Sequence, residues 1–258
     1  MARVVAAAYG KDAVSVYRTD GERLFACELR LIARGPAFEP SYTEGDNAMV
    51  VATDSMKNFI HAAALEYEGD SLDDFVDEVA ERFLARYQHV EEVDVRGREL
   101  VFARRSGAVH ERLYDHFPVS ELVLGRGTRR ERSGLERLHL VKLSGSAFAG
   151  FVRDEHTTLP ESADRPLFVH LDVHWSPRAP HEHVRESLVE TFADFRSESI
   201  QQLVHEMGIR LFDGFGEIES VEFRAENRTW DTGRDGEGVA VFTDPRPPFG
   251  VITLTLSR

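Results

Sequence analysis

Residues 167–175 alternate without a break. Leu167, Val169, Leu171 and Val173 fall on one side, and Phe168, His170, Asp172 and His174 on the other. Successive side chains of a strand point to opposite faces, so this run specifies a strand with one apolar and one polar face. Residues 23–33 repeat the pattern. Asp20-Gly21 separates them from a first alternating run at 3–18, which is a hairpin signal. A sheet of such strands needs a cover on its apolar face. The chain supplies one: Leu72, Phe75, Val76, Val79, Phe83 and Tyr87 recur at spacings of three and four, the stripe of a helix. Ser71 is placed to cap that helix, with Asp73 and Asp74 in its first turn to suit the helix dipole.

The remaining elements follow in order. Residues 35–47, rich in Gly, Pro, Ser and Asp, read as a loop. An earlier helix begins within Met49–Tyr67, where Asp54 and Ser55 give a start signal before Phe59, Ile60 and Ala63. Strands are expected at 91–103 and 108–117, and the Gly-, Arg- and Ser-rich stretch 118–134 is the expected domain connection. Strands at 135–152 and 166–175 come next, then a break at 176–182 holding two prolines. One long helix runs through Val184, Leu188, Phe192, Ser199, Leu203, Met207 and Leu211, and strands at 217–230 and 239–257 close the chain. This is β-β-α-β-β twice, duplicated in architecture but not in sequence, with domains at 1–128 and 129–258. The class is α+β, antiparallel sheets with helices on one face. Bare sheet edges are a liability. Pairing them, within and between chains, into a closed barrel removes it.

Charge narrows the function. Lys and Arg number 31 against 45 Asp and Glu, a net charge of -14. That balance argues against a nucleic-acid or anionic-membrane partner, which needs a basic footprint. No apolar run approaches the roughly 18 residues of a membrane span. A single cysteine, Cys27, leaves no intrachain disulfide and no Cys-based metal site, and a reducing cytoplasm is the expected compartment. An anion site in this chain has to be built from a few local cations. The only lysines are Lys11, Lys57 and Lys142, and lysine, unlike arginine, can give up its proton.

Residues 146–165 carry Phe148 near one end and Arg165 at the other, around a charged triplet (Arg153, Asp154, Glu155), Thr157-Thr158 and Pro160. A stacking face and a guanidinium fork suit a planar anionic ring. Three other segments leave two readings each. Tyr9-Gly10-Lys11 is a surface lysine after a bulge glycine, or a desolvated proton carrier. Thr53-Asp54 is a helix entry capped by Asp54, or a set of free backbone N–H groups that meet an anion beside the Thr53 hydroxyl. Gln201 is a solvated helix glutamine, or an amide that pairs with a purine edge. Asn227-Arg228-Thr229-Trp230 ends a strand, with Trp230 read as packing, and His110 and His116 are read as structural. His170, His174, His181 and His183 lack the spacing of a three-ligand zinc site, so no metal is expected.

Taken together, these segments resemble the urate oxidase (uricase) family along the whole chain. The motifs are Tyr-Gly-Lys at 9–11, Gly-Asp-Asn at 45–47, Val-Ala-Thr-Asp-Ser-Met-Lys-Asn at 51–58, the twenty residues 146–165, Ile-Gln at 200–201 and Pro-Arg-Pro-Pro-Phe-Gly at 245–250. The long stretch is specific, and the ordered set is hard to explain otherwise. The resemblance implies two tandem tunnelling-fold (T-fold) halves of β-β-α-α-β-β, with helices on the outer face. Dimers would close a β-barrel, two barrels would stack into a homotetramer, and the active sites would lie at dimer interfaces.

The resemblance also implies cofactor-free oxidation of urate to 5-hydroxyisourate and hydrogen peroxide, with O2 and water as co-substrates. By it, Phe148 stacks on urate, Arg165 and Gln201 grip its edges, and the Ile200 N–H holds an oxygen. Thr53 and Asp54 arrive from the neighbouring subunit, Asn227 faces O2 or water above the ring, and Lys11 forms a proton relay with Thr53. One departure concerns the relay. Many relatives read Asn-Lys-His where this chain has Asn227-Arg228-Thr229, so Thr229 or a water takes the third place. The competing readings are another T-fold purine or pterin enzyme, and a purine-binding homologue impaired in catalysis. Leu256-Ser257-Arg258 is no peroxisomal address, so a bacterial cytoplasm is expected.

Overall fold

The computed structural model describes residues 4–228 and 230–258. The chain divides into two compact units, Met1–Ser133 and Gly134–Arg258, and the division falls within a strand.

The first unit runs β1 (Ala8–Asp20), β2 (Arg23–Arg34), a 3-10 turn (Pro36–Phe38), α1 (Glu39–Thr43), α2 (Thr53–Glu66), α3 (Leu72–Arg86), β3 (Glu92–Glu99), β4 (Phe102–Ser106), β5 (Val109–Arg112) and β6 (Phe117–Gly125). Its main sheet is antiparallel in the order β1-β2-β3-β6, and β4-β5 form a separate hairpin. Alternation decides the faces. Cys27, Leu29, Leu31 and Ala33 of β2, with Val93 and Val95 of β3, pack in one core with Met56 and Ile60 of α2 and Phe75, Val79 and Phe83 of α3. The residues between them face the other way and pair as ions: Arg30–Asp94 at 3.2 Å, Arg96–Glu121 at 3.0 Å and Arg98–Glu28 at 2.9 Å. Ser71 caps α3 as its position predicts, its Oγ accepting the Asp74 N–H at 3.3 Å.

The second unit continues from β7 (Thr128–Lys142), which starts in the first. It adds β8 (Leu167–Ser176), α4 (His181–Asp194), α5 (Ile200–Gly214), β9 (Ser220–Asn227), β10 (Asp231–Gly236), β11 (Val239–Thr243) and β12 (Gly250–Ser257). The sheet order is β7-β8-β9-β12, with β10-β11 a separate hairpin. The alternating face of β8, from Leu167 to Trp175, packs on Val184, Leu188, Leu203, Met207 and Leu211 of the two helices. Each unit is therefore two strands, two long helices, a strand, a small hairpin and a strand. This is the α+β arrangement expected, with a hairpin inserted before the last strand of each.

Four local expectations are corrected. The stretch 118–134 does hold the division between the units, but as strand rather than loop: it is the β6–β7 hairpin, turning at Arg126-Gly127 with Gly127 at φ 104°, and Val119 and Leu122 are buried in β6. The strand expected over 135–152 stops at Lys142, because Gly145 (φ 82°) and Gly150 (φ 71°) take left-handed conformations outside any ladder. The single long helix is two. Phe195 is extended at the end of α4, and Ser199 caps α5 by accepting the Gln202 N–H at 3.1 Å. The apolar period runs on across this break, so periodicity could not show it, whereas Ser199-x-x-Gln202 is a readable start signal. Finally, Asp54 does not cap α2. The N-cap is Ala52, with no side-chain cap, and Asp54 turns instead to Lys57 at 2.6 Å.

Candidate active site

The loop between β7 and β8 brings Phe148 and Arg165 together without a regular strand ladder. Phe148 and Ser162 exchange both backbone hydrogen bonds, at 2.8 and 2.9 Å, and the Arg165 N–H donates to the Ser146 carbonyl at 2.8 Å. The guanidinium carbon of Arg165 then lies 5.3 Å from the centroid of the Phe148 ring. Burial pushes the Arg165 pKa down, and no ion pair offsets this among the described residues. Its Nε is buried with no hydrogen-bond partner among them. A half-buried cation with a free donor beside an aromatic face has the chemistry to receive a planar anion. Phe151 also belongs here. The turn at Gly150 stacks its ring on Phe148, with centroids 4.8 Å apart and 14° between planes. The Phe-x-x-Phe spacing at 148–151 was the available signal.

The same loop is tied to the start of α5. Ser146 and Ser197 form a parallel bridge, with Ala147 N–H donating to the Ser197 carbonyl at 2.8 Å. Ser197 leads directly to Ser199, Ile200 and Gln201. Ile200 is the first residue of α5, so its N–H is among the free donors of the helix start, while Gln201 is exposed beside it. Asn227, at the end of β9, lies opposite Val169 and Gly250 in the ladders. It shares a cavity of about 130 Å³ with Arg165, Phe168, Arg228, Trp230 and Phe242. Trp230 stacks on Phe242 (5.1 Å, 29°), so it packs as expected but also walls this cavity. Phe148, Arg165, Ile200, Gln201 and Asn227 are thus held on one framework in the second unit.

Lys11, Thr53 and Asp54 lie in the first unit. The Tyr9 hydroxyl accepts the Val51 N–H at 2.7 Å, and burial raises the Tyr9 pKa. Lys11 and Thr53 each stand two residues beyond that bond, so Tyr9 holds the Lys11 strand against the entry of α2. The Asp54 carboxyl is held below its ordinary pKa by hydrogen bonding to Lys57, with a smaller contribution from the Lys11 ammonium. Thr53, Asp54 and Ser55 are exposed at a helix start without a side-chain cap, which leaves its N–H groups available. Thr229 lies outside the described residues.

Gly10 is not the bulge residue. The register shift falls between Lys11 and Val14, where Ala13 takes φ 54°. A Cβ on Gly10 would meet the Leu31 carbonyl oxygen at 1.9 Å, so glycine is required for close approach to β2. Gly10→Ala is expected to cost at least about 2 kcal/mol, read as a shifted denaturation midpoint, because the obstructing atom is backbone.

A second cavity, of about 320 Å³, lies on the polar face of the same sheet, among Arg137, His139, His170, Asp172, Arg224 and Glu226. His139 and His170 stack at 3.6 Å, and His170 Nδ1 lies 4.0 Å from Glu226. Burial works against the Glu226 charge, but hydrogen bonds from Arg224 and Arg228 still hold its carboxyl below the usual range. Among the described residues no cluster of three or more His, Cys, Asp or Glu is placed to hold a metal ion. Burial, then the neighbouring His139 and Arg228, bring His170 from 6.5 down to about 4. The unfolded chain therefore takes this proton first. Stability is full above pH 6.5 and falls as the pH drops toward 4. His170→Asn should flatten the fall in thermal midpoint between about pH 6.5 and pH 5, above most carboxylate titrations; an unchanged slope would refute the assignment.

Two units of this strand and helix order, each with helices on one face of an antiparallel sheet, make this a tunnelling-fold protein. A family model described as Uricase matches residues 7–115 and 131–253. The chain is 36% identical to the uricase of Halalkalicoccus jeotgali, covering 97% of each. It is 36% identical to the uric acid degradation bifunctional protein PucL of Bacillus subtilis over 87% of its own length, and spans only 52% of that longer protein. The crystal structure of a uricase from Bacillus fastidious superposes with a TM-score of 0.90 at 33% identity, covering 97% of this chain and 93% of that one. The chain belongs to the uricase family. No helix among the described residues is long and apolar enough to cross a membrane.

Proposed function

We propose that the chain is a urate oxidase, converting urate, O2 and water to 5-hydroxyisourate and hydrogen peroxide without a metal or organic cofactor. The observation that carries this is Arg165: a half-buried guanidinium with a free buried Nε, 5.3 Å from the Phe148 ring and on one backbone frame with Ile200-Gln201. Urate is a planar anion with donors and acceptors around its rim. Phe148 supplies a face, Arg165 and Gln201 supply edge contacts, and the Ile200 N–H takes an oxygen. Asn227 borders a cavity beside Arg165, and in this reading it faces the O2 or water above the ring. Lys11 and Thr53 move the proton whose loss makes urate electron-rich enough to reduce O2, with Thr229 or a water as third member.

The active unit in this reading is a homotetramer in the bacterial cytoplasm. Thr53 and Asp54 of one subunit complete the pocket of its neighbour, and β1 and β12, each with one unpaired edge, join between chains to close a barrel. The decisive assay uses chelator-treated protein in air. Loss of urate absorbance with one peroxide per urate is expected. Turnover that disappears with the chelator would refute the cofactor-free mechanism, and no turnover under any condition would refute the activity.

A further inference from the structure

We propose that Asp164 is the positioning residue of this site, one carboxylate oxygen fixing Phe148, Arg165 and Gln201 relative to each other. The inference rests on the reading of those three as the grip on urate. Asp164 Oδ1 accepts the N–H of Gly145 at 2.6 Å and the N–H of Ser146 at 3.3 Å. These two residues form a knot. The Ser146 carbonyl accepts the Arg165 N–H at 2.8 Å, and the Gly145 carbonyl accepts the Ser197 N–H at 3.1 Å. Phe148 follows two residues after Ser146, Arg165 is next to Asp164, and Gln201 comes four residues after Ser197. All three groups hang from the knot that the carboxylate closes.

The bridges at Ser146–Ser197 and Phe148–Ser162 hold the loop in pairs, and Asp164 is the side chain that joins them at Gly145 and Ser146. Residues 143–166 belong to no strand, and Gly145 at φ 82° turns its N–H away from a ladder. Two successive N–H groups converge on one oxygen, and an anionic acceptor makes the stronger bonds there. The surrounding contacts brace the same junction. Arg196 donates to the Ala163 carbonyl at 2.7 Å, and the Lys142 ammonium donates to the Phe195 carbonyl at 2.9 Å. Small displacements at a gripping residue are costly in function even where the fold survives.

The test measures urate binding under argon, where binding needs no turnover. Asp164→Ala is expected to weaken it on the order of tenfold, while Asp164→Asn, which keeps an oxygen at the Oδ1 position, stays within about threefold of wild type. Both should melt within a few degrees of wild type. In ligand-free protein, amide exchange should rise together at 145–148 and 197–201 in Asp164→Ala, a readout that holds whether or not urate is the ligand. Should Asp164→Ala not fold, Asp164→Asn is compared with Asp164→Glu, whose longer arm displaces the acceptor; the glutamate variant is expected to bind more weakly. Unchanged binding together with unchanged exchange in Asp164→Ala overturns the proposal, as does equal impairment of the Ala and Asn variants or equal binding by the Asn and Glu variants. A wild-type protein that binds urate under argon but fails to consume it in air would instead overturn the oxidase reading alone.

Discussion

Arg165→Ala should raise the dissociation constant for urate by about 30-fold or more, because a desolvated hydrogen-bonded charge is worth roughly 2–5 kcal/mol when its partner is removed. The guanidinium has already lost part of its hydration in the free chain, since its Nε is buried, and it has no ion pair among the described residues. That desolvation cost is met during folding, so an incoming anion recovers the attraction without paying it again. Arg165→Lys separates charge from shape. A lysine keeps the charge but not the planar fork, so binding should recover only in part. Titration of both variants with urate under argon checks this; a lysine variant equal to wild type would show that charge alone is read.

Lys11→Ala should act on the chemistry instead. A positioned proton carrier contributes about 10²–10⁴-fold, and the loss is expected in kcat with little change in KM. Lys11 follows Gly10, whose contact with the Leu31 carbonyl brings β1 close to β2, and precedes the bulge at Asp12-Ala13 that releases the strand from register. Together with the Tyr9–Val51 bond, this places the ammonium near Asp54 at the start of α2. Partial recovery of Lys11→Ala by added methylamine would identify the missing group as an amine. A variant with unchanged kcat and a raised KM would make Lys11 a binding residue and end the relay assignment.

Local chemistry makes part of this fold and site legible in the amino-acid sequence alone. The alternation of Leu167–Trp175 decides which face of β8 is buried, since side chains on a strand alternate whatever the fold. The stripe from Leu72 to Phe83 and the Ser71 cap place α3 nearly to the residue, because both signals act within a few residues. The types of group needed for a planar anion, an aromatic ring and a guanidinium, are also visible in 146–165.

Tertiary contact decided the rest. The apolar period crosses Phe195–Ser199 unbroken; the Ser199 cap marks where α5 starts, but only the hydrogen bonds of Ser197 to Gly145 and Ala147 show how that start meets the loop. Asp54 carried a cap signal, yet a lysine one turn away drew its carboxylate off, and the helix start stayed open. Phe148 and Arg165 stand seventeen residues apart, and no periodicity sets their separation. Their 5.3 Å approach comes from a two-residue bridge and, by our inference, from one oxygen of Asp164. The local sequence could specify faces, caps and chemical groups because those depend on near neighbours. The geometry of the site depends on pairings between residues far apart in the chain, and these exist only once it has folded.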